Sequence, residues 1–367
     1  VDQAYLHTLD PVAFSLGPVT VKWYPLTYIT GFVIAYVLWR WLIKTRRSVI
    51  PKDYLGDVIA YFVFAVAVGA RLGYVLFYRP ELLIDFSADF PFWGVLALHK
   101  GGMSSHGGML GVIAACFYIH RERGIPKMHL FDVTALVAPP GLGLGRLGNW
   151  VNGELWGKAL PASQQTYAGG SSPWWSVKYP AELSEPGFDQ SRFASAADAI
   201  KEHLFLPADT DLATVIDSAV RAMEGGDDHM VALLQPALTA YYPSPLFQAL
   251  TDGPLMMLIL VIVWWRPRLP GTVGAWFFIS YGILRISSEV WRQPDDGVAL
   301  LLGLSRGQVL SVLLTLTGCI GLYYVGRRDV PRLGGLGSVN AVDLHTLIPD
   351  DHPSRARDAK DEPPQHS

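Results

Sequence analysis

The chain has 367 residues, half of them hydrophobic, with charged residues at 17%. Soluble domains carry about 25% charged residues, so the deficit points to a lipid-facing protein. A formal net charge of −3 gives no basic field of the kind a nucleic-acid binder uses.

Spanning a bilayer as a helix takes about 20 mostly apolar residues. In chain order the sequence predicts seven such segments: Tyr24–Leu42, Leu55–Tyr78, His106–His120, Leu130–Leu147, Ser244–Trp265, Gly271–Val290 and Gly307–Gly326. The third is short, and the fourth is interrupted by Pro139, Pro140 and repeated glycine. Inside a membrane such breaks survive only where protein or a wet cavity satisfies the freed backbone groups. Both irregular segments are therefore expected near a site. No cleavable signal peptide is visible at the start, so the first span is expected to target the chain. Cys116 and Cys319 lie in apolar runs without metal-ligand or disulfide spacing, and both are expected to be small buried residues.

Lysine and arginine set the orientation. Arg40, Lys44, Arg46 and Arg47 follow the first span, and Arg121, Arg123 and Lys127 the third. Arg266 and Arg268 follow the fifth, and Arg327, Arg328 and Arg332 the seventh. These loops are expected to be cytoplasmic, with the N-terminus outside and the C-terminus inside. The expected fold class is an all-α polytopic membrane protein with an extracytoplasmic insert. Its expected divisions are four spans in 1–157, the insert in 158–242, three spans in 243–328, and a disordered cytoplasmic tail in 329–367. Within the insert, Phe193–Met230 has mixed helical patterning and is expected to form a small domain or lid.

Four constellations carry chemistry. Gly145-Arg146-Leu147-Gly148-Asn149-Trp150-Val151-Asn152-Gly153-Glu154 ends the fourth segment. An arginine at membrane depth costs roughly 2.5–3.5 kcal/mol on insertion scales, so Arg146 needs a partner or must snorkel to the headgroups. Gly143 to Gly148 also fits G-x-G-x-x-G, but a dinucleotide site requires a strand before it and a soluble helix after it. Glycines four apart at Gly69/Gly73, Gly107/Gly111 and Gly141/Gly145 instead suit close helix packing.

The second constellation places Arg285, Glu289 and Arg292 on one helical stripe, either as an ion-pair ladder or with a guanidinium free for phosphate. The third, Gly101-Gly102-Met103-Ser104-Ser105-His106-Gly107-Gly108, sets an imidazole among flexible glycines, as a cap or as a proton carrier. The fourth contains Arg71, a further charge at membrane depth in need of a partner. Tyr24 opens the first span, where aromatics commonly form an interfacial belt.

These blocks together resemble the bacterial prolipoprotein diacylglyceryl transferase family. The G-R-x-G-N-x-x-N-G-E run at Gly145–Glu154 is similar to that family's signature. Phe14-Ser15-Leu16-Gly17-Pro18-Val19 with Trp23-Tyr24, Gly73–Tyr78, the His106 block, and Arg285 through Gln293-Pro294-Asp295 extend the likeness. It covers about Ala13–Trp156 and Tyr242–Tyr324. Departures lie at Tyr242-Pro243-Ser244-Pro245, at Gln248 and at Pro25.

The resemblance implies transfer of the sn-1,2-diacylglyceryl group of phosphatidylglycerol to the lipobox cysteine of a prolipoprotein signal peptide. A thioether forms and glycerol phosphate leaves. It implies Arg146, Arg285 and His106 as catalytic residues. It places Tyr24, Arg71, Ser104, Asn149, Asn152, Gly153, Glu154, Glu289 and Arg292 around the substrates. It implies no metal, no cofactor and no nucleic acid, and a location in the bacterial inner membrane among its lipids, with the site facing outward. The residues alone also admit an anionic-solute transporter or a non-catalytic assembly factor.

Overall fold

The computed structural model describes residues 3–338 apart from 18, 89, 98–100, 186–187, 190 and 294–304. Pro18, Pro294 and Asp295 of the resembling blocks, and the tail from residue 339, lie outside the described residues.

Each predicted apolar segment is helical. The first three are α1 (Trp23–Lys44), α2 (Leu55–Phe77) and α3 (Ser105–Arg123). The fourth is two helices, α4 (Lys127–Val137) and α5 (Pro139–Val151). A proline fits the first turn of a helix, where its missing N–H removes no hydrogen bond, so the break falls just before Pro139. The insert carries α6 (Ser191–His203), α7 (Leu212–Glu224) and α8 (Asp228–Leu234). The fifth segment is α9 (Ser244–Leu250), a π-turn over Thr251–Leu255 containing Pro254, and α10 (Met256–Val263). Then come α11 (Thr272–Glu289) and α12 (Arg306–Gly326).

Among the described residues, four helical stretches are long and apolar enough to cross a membrane: Trp23–Lys44, Lys52–Phe77, Ser244–Val263 and Gly307–Gly326. The strands are minor. β1 (Tyr5–Leu6) pairs in parallel with β4 (Val177–Lys178), and β2 (Val12–Leu16) pairs antiparallel with β3 (Val19–Lys22).

The chain forms two compact units. The first comprises Val1–Gly31, Gly141–Leu255 and Tyr281–Leu313. Within it, α6, α7 and α8 enclose a core of their own, with Phe193, Ile200, Val215, Ala219, Met230 and Leu234 buried. β1 fastens to the insert: the N–H of Tyr5 donates to Ser176 O (2.9 Å) and that of His7 to Lys178 O (2.9 Å).

The second unit comprises Phe32–Pro140, Met256–Ser280 and Leu314–Ser367. Here α2 and α3 touch backbone to backbone. A Cβ on Gly69 would sit 2.5 Å from Gly107 O, and one on Gly73 would sit 2.6 Å from Gly107 Cα. Asp132 of α4 accepts the N–H groups of Gly271 and Gly274 (2.8 Å each) and so caps the start of α11 from another helix.

Two expectations need correction. Residues 329–338, expected to be disordered, have defined positions. Leu333 exchanges backbone hydrogen bonds with Arg268, and buried Trp264 donates its indole N–H to Leu333 O (3.2 Å). A short segment without an apolar stripe is still ordered when a neighbouring chain segment supplies hydrogen-bond partners. Cys116 is buried, but Cys319 is exposed on α12, where an apolar run facing outward leaves its small residues uncovered too.

Candidate active site

The core of the site lies in the first unit and is built around α5. Arg146 donates its Nε–H to Asp252 Oδ2 at 2.8 Å, and the Asp252 side chain is 1% exposed. The pair is possible because α5 and the π-turn approach closely: a Cβ on Gly143 would meet Gly253 Cα at 2.9 Å. The π-turn, which accommodates Pro254, holds Asp252 at that crossing. Among the described residues, neither Nη of Arg146 has a hydrogen-bond partner.

Two glycines beside Arg146 make room for tyrosines of α1. Tyr28 lies over Gly145, where a Cβ would stand 3.7 Å from its hydroxyl, and Tyr24 lies against Gly148, at 3.0 Å from its ring. The two hydroxyls are 3.0 Å apart. One turn further on, Glu154 is clamped by two amides. Asn149 Nδ2 donates to Oε2 (3.2 Å) and Asn152 Nδ2 to Oε1 (3.1 Å). The turn between them needs Gly153, at φ +66°.

His7 supports this turn from the chain's beginning. Its Nε2 lies 2.6 Å from Trp150 O, and its ring lies 3.3 Å from where a Gly153 Cβ would be. Trp156 stacks on Tyr179 of the insert at 4.8 Å, which joins the end of the block to the head.

Arg285 and Glu289 of α11 form an ion pair at 3.1 Å, with side chains 12% and 9% exposed. Arg292 approaches the other Glu289 oxygen at 3.7 Å. Arg285 Nη1 is buried and has no hydrogen-bond partner among the described residues. Arg285 and Tyr281 belong to the same compact unit as Arg146. Guanidinium nitrogens left open in this way, three in all among the described residues, are chemically suited to an anion.

The remaining expected residues belong to the second unit. Arg71, expected to contact substrate, is instead fully engaged by the loop before α3. Its donors reach the carbonyls of Val95 (2.7 Å), Gly101 (2.6 Å), Gly102 (3.0 Å), Gly94 (2.7 Å) and Ala97 (3.3 Å). A guanidinium has five N–H groups, so none remains for a ligand. Ser104, also expected at the substrate, caps α3: its Oγ accepts the Gly107 N–H at 3.3 Å. His106 lies in the first turn of α3, half-buried.

A family model described as Prolipoprotein diacylglyceryl transferase matches residues 11–324. The chain belongs to that family. Similar proteins named phosphatidylglycerol--prolipoprotein diacylglyceryl transferase include one from Bdellovibrio bacteriovorus, 34% identical over 86% of this chain and 92% of its own length. One from Neisseria gonorrhoeae is 33% identical over 88% and 98%. One from Xylella fastidiosa is 35% identical over 86% and 92%. The family match leaves the transporter alternative without support.

Sequence reasoning passed over Asp252, Tyr28, Tyr281 and His7. Asp252 carried the same signal that marked Arg146, a lone charge inside an apolar run. Tyr28 stands one helical turn from Tyr24. Nothing in the sequence ties His7 to a turn so far along the chain.

Proposed function

We propose that this protein transfers the sn-1,2-diacylglyceryl group of phosphatidylglycerol to the lipobox cysteine of prolipoproteins, the first step of lipoprotein maturation. The thiolate sulfur attacks the sn-3 carbon of the diacylglyceryl group. The carbon–sulfur bond forms as the carbon–oxygen bond to phosphate breaks, and glycerol 1-phosphate leaves with the electron pair. Negative charge grows on the departing phosphate. Preorganised guanidinium groups stabilise such charge most where water is excluded.

The observation that carries this reading is that one compact unit holds both Arg146, with its two Nη atoms unengaged among the described residues, and Arg285, with its buried Nη1 unengaged. Asp252 and Glu289 orient them. Tyr24, Asn149, Asn152, Gly153 and Glu154 shape the surroundings, and Arg292 steadies Glu289. His106 receives the thiol proton or positions the thiolate.

The chain is proposed to cross the bacterial inner membrane seven times, N-terminus outside. The insert 158–242 divides membrane parts 1–157 and 243–328 and faces outward with the site. The four apolar helical stretches and the basic loops support this arrangement.

The test is to incubate purified protein with phosphatidylglycerol and a lipobox peptide and weigh the product. Thioether product is expected. Arg146→Ala and Arg285→Ala should each lower the rate by roughly 100- to 1000-fold, as loss of one charge-stabilising donor does. Full activity in either variant overturns the assignment.

A further inference from the structure

The second unit holds a groove of about 380 Å³ that is almost wholly apolar, within the range of about 300–1000 Å³ typical of small-ligand sites. Leu42, Leu136 and Val137 line it and are buried, whereas the lining residues Trp41 and Trp265 are exposed. Exposed tryptophans at the ends of apolar helices mark the level of lipid headgroups.

Arg47 also lines the groove. Its Nη2 donates to Leu336 O at 3.0 Å, and its guanidinium lies 5.0 Å from the centre of the Trp41 ring. Its Nε is buried and has no hydrogen-bond partner, and no carboxylate pairs with it among the described residues. Arg40, Lys44 and Arg46 add positive charge at the same end of α1.

An apolar groove beside an uncompensated cation is complementary to an amphiphile with a negative head. An apolar peptide would fill the groove but leave the charge alone. A soluble anion would meet the charge but leave the groove empty. We propose that this groove holds one acyl chain of an anionic phospholipid, with the phosphate at Arg47. Such a lipid would join the end of α1 to Val261 of α10 and to Trp265 just after it. None of these residues belongs to the reaction site proposed above, so this binding stands or falls independently of it.

The experiment compares lipids retained by the full chain after extraction from membranes of equal phosphatidylglycerol and phosphatidylethanolamine, counted by native mass spectrometry. Val261→Trp fills the groove and is expected to lose one retained lipid while its transfer rate stays unchanged. Arg47→Gln is expected to lose about a fivefold preference for phosphatidylglycerol, roughly what one basic residue contributes near anionic lipid. Phosphatidylglycerol with brominated chains should also quench the part of the fluorescence that Trp41→Phe removes, a measurement that needs no groove-filled variant. An unchanged lipid count in folded Val261→Trp overturns the proposal. So does unchanged headgroup preference in Arg47→Gln, or absence of quenching at Trp41.

Discussion

At the scale of single residues, the proposed site depends on carboxylates that orient arginines without neutralising all their donors. Asp252 takes only the Nε edge of Arg146 and leaves the terminal nitrogens open. Removing one partner of a buried pair strands the other charge, at a cost of about 3–5 kcal/mol. Asp252→Ala should therefore lower the melting temperature and reduce transfer sharply, whereas Asp252→Glu retains part of both. Thermal unfolding in detergent and the peptide assay measure the two effects, and an unaffected Asp252→Ala would dismiss the pairing. His7 makes a second case. Burial holds its imidazole below the usual histidine range, so the folded chain favours the neutral form. The stability it contributes is complete above the unfolded value of about 6.5 and declines as pH falls from there toward the folded value. His7→Gln, which can still donate toward Trp150 O, should flatten this acid limb when unfolding is compared at about pH 7.5 and about pH 5, either side of the unfolded value. Arg146, Asn149 and Glu154 were legible in the sequence because they share one block. Asp252 and His7 were not, because their meaning depends on contacts made 106 and 143 positions away.

At the scale of elements, close contact of helices does most of the positioning. α2 and α3 meet where Gly69 faces Gly107, and a methyl group on either would strike backbone that cannot yield. Overpacking of this kind destabilises by about 1–3 kcal/mol, so Gly69→Ala and Gly107→Ala should lower the melting temperature. Gly56, also on α2, has open space where a Cβ would stand, with nothing within 4 Å. Gly56→Ala should be neutral or slightly stabilising, since alanine favours a helix; equal losses at all three positions would exclude the packing explanation. Helix existence and the interruption near Pro139 were readable from hydropathy and proline. The π-turn was not. Pro254 signals a disturbance in the fifth apolar segment but not which way the ladder opens, and it is the opening that presents Asp252 to Arg146. The tail residues 329–338 escaped for another reason: their order comes from partners such as Trp264 and Arg268, not from a pattern of their own.

At the scale of the whole molecule, the proposed chemistry requires Arg146 and Arg285 to meet a lipid headgroup on the side where prolipoproteins emerge. The proposed orientation rests on the charge bias of the loops: Arg46, Arg47, Arg121 and Arg123 follow the first and third apolar segments, and the insert with Trp174 follows the fourth. Long translocated segments obey this bias weakly, but short loops obey it well, so the proposal leans on the short basic loops. Labelling tests the arrangement directly. In a Cys319→Ala background Cys116 remains, but it is wholly buried and should not react. Trp174, 75% exposed in the insert, and Arg121, exposed at the end of α3, then serve as the two reporters. A membrane-impermeant maleimide should modify Trp174→Cys in intact spheroplasts, and Arg121→Cys only after permeabilisation. The reverse pattern would put the insert and the arginine site on the cytoplasmic side. A cysteine just past a signal peptide that enters from the outer half of the bilayer could not then reach Arg146 and Arg285. The transfer reaction and the orientation therefore fail together, whereas the lipid groove at Arg47, which requires only an anionic leaflet at the basic end of α1, does not depend on where the insert emerges.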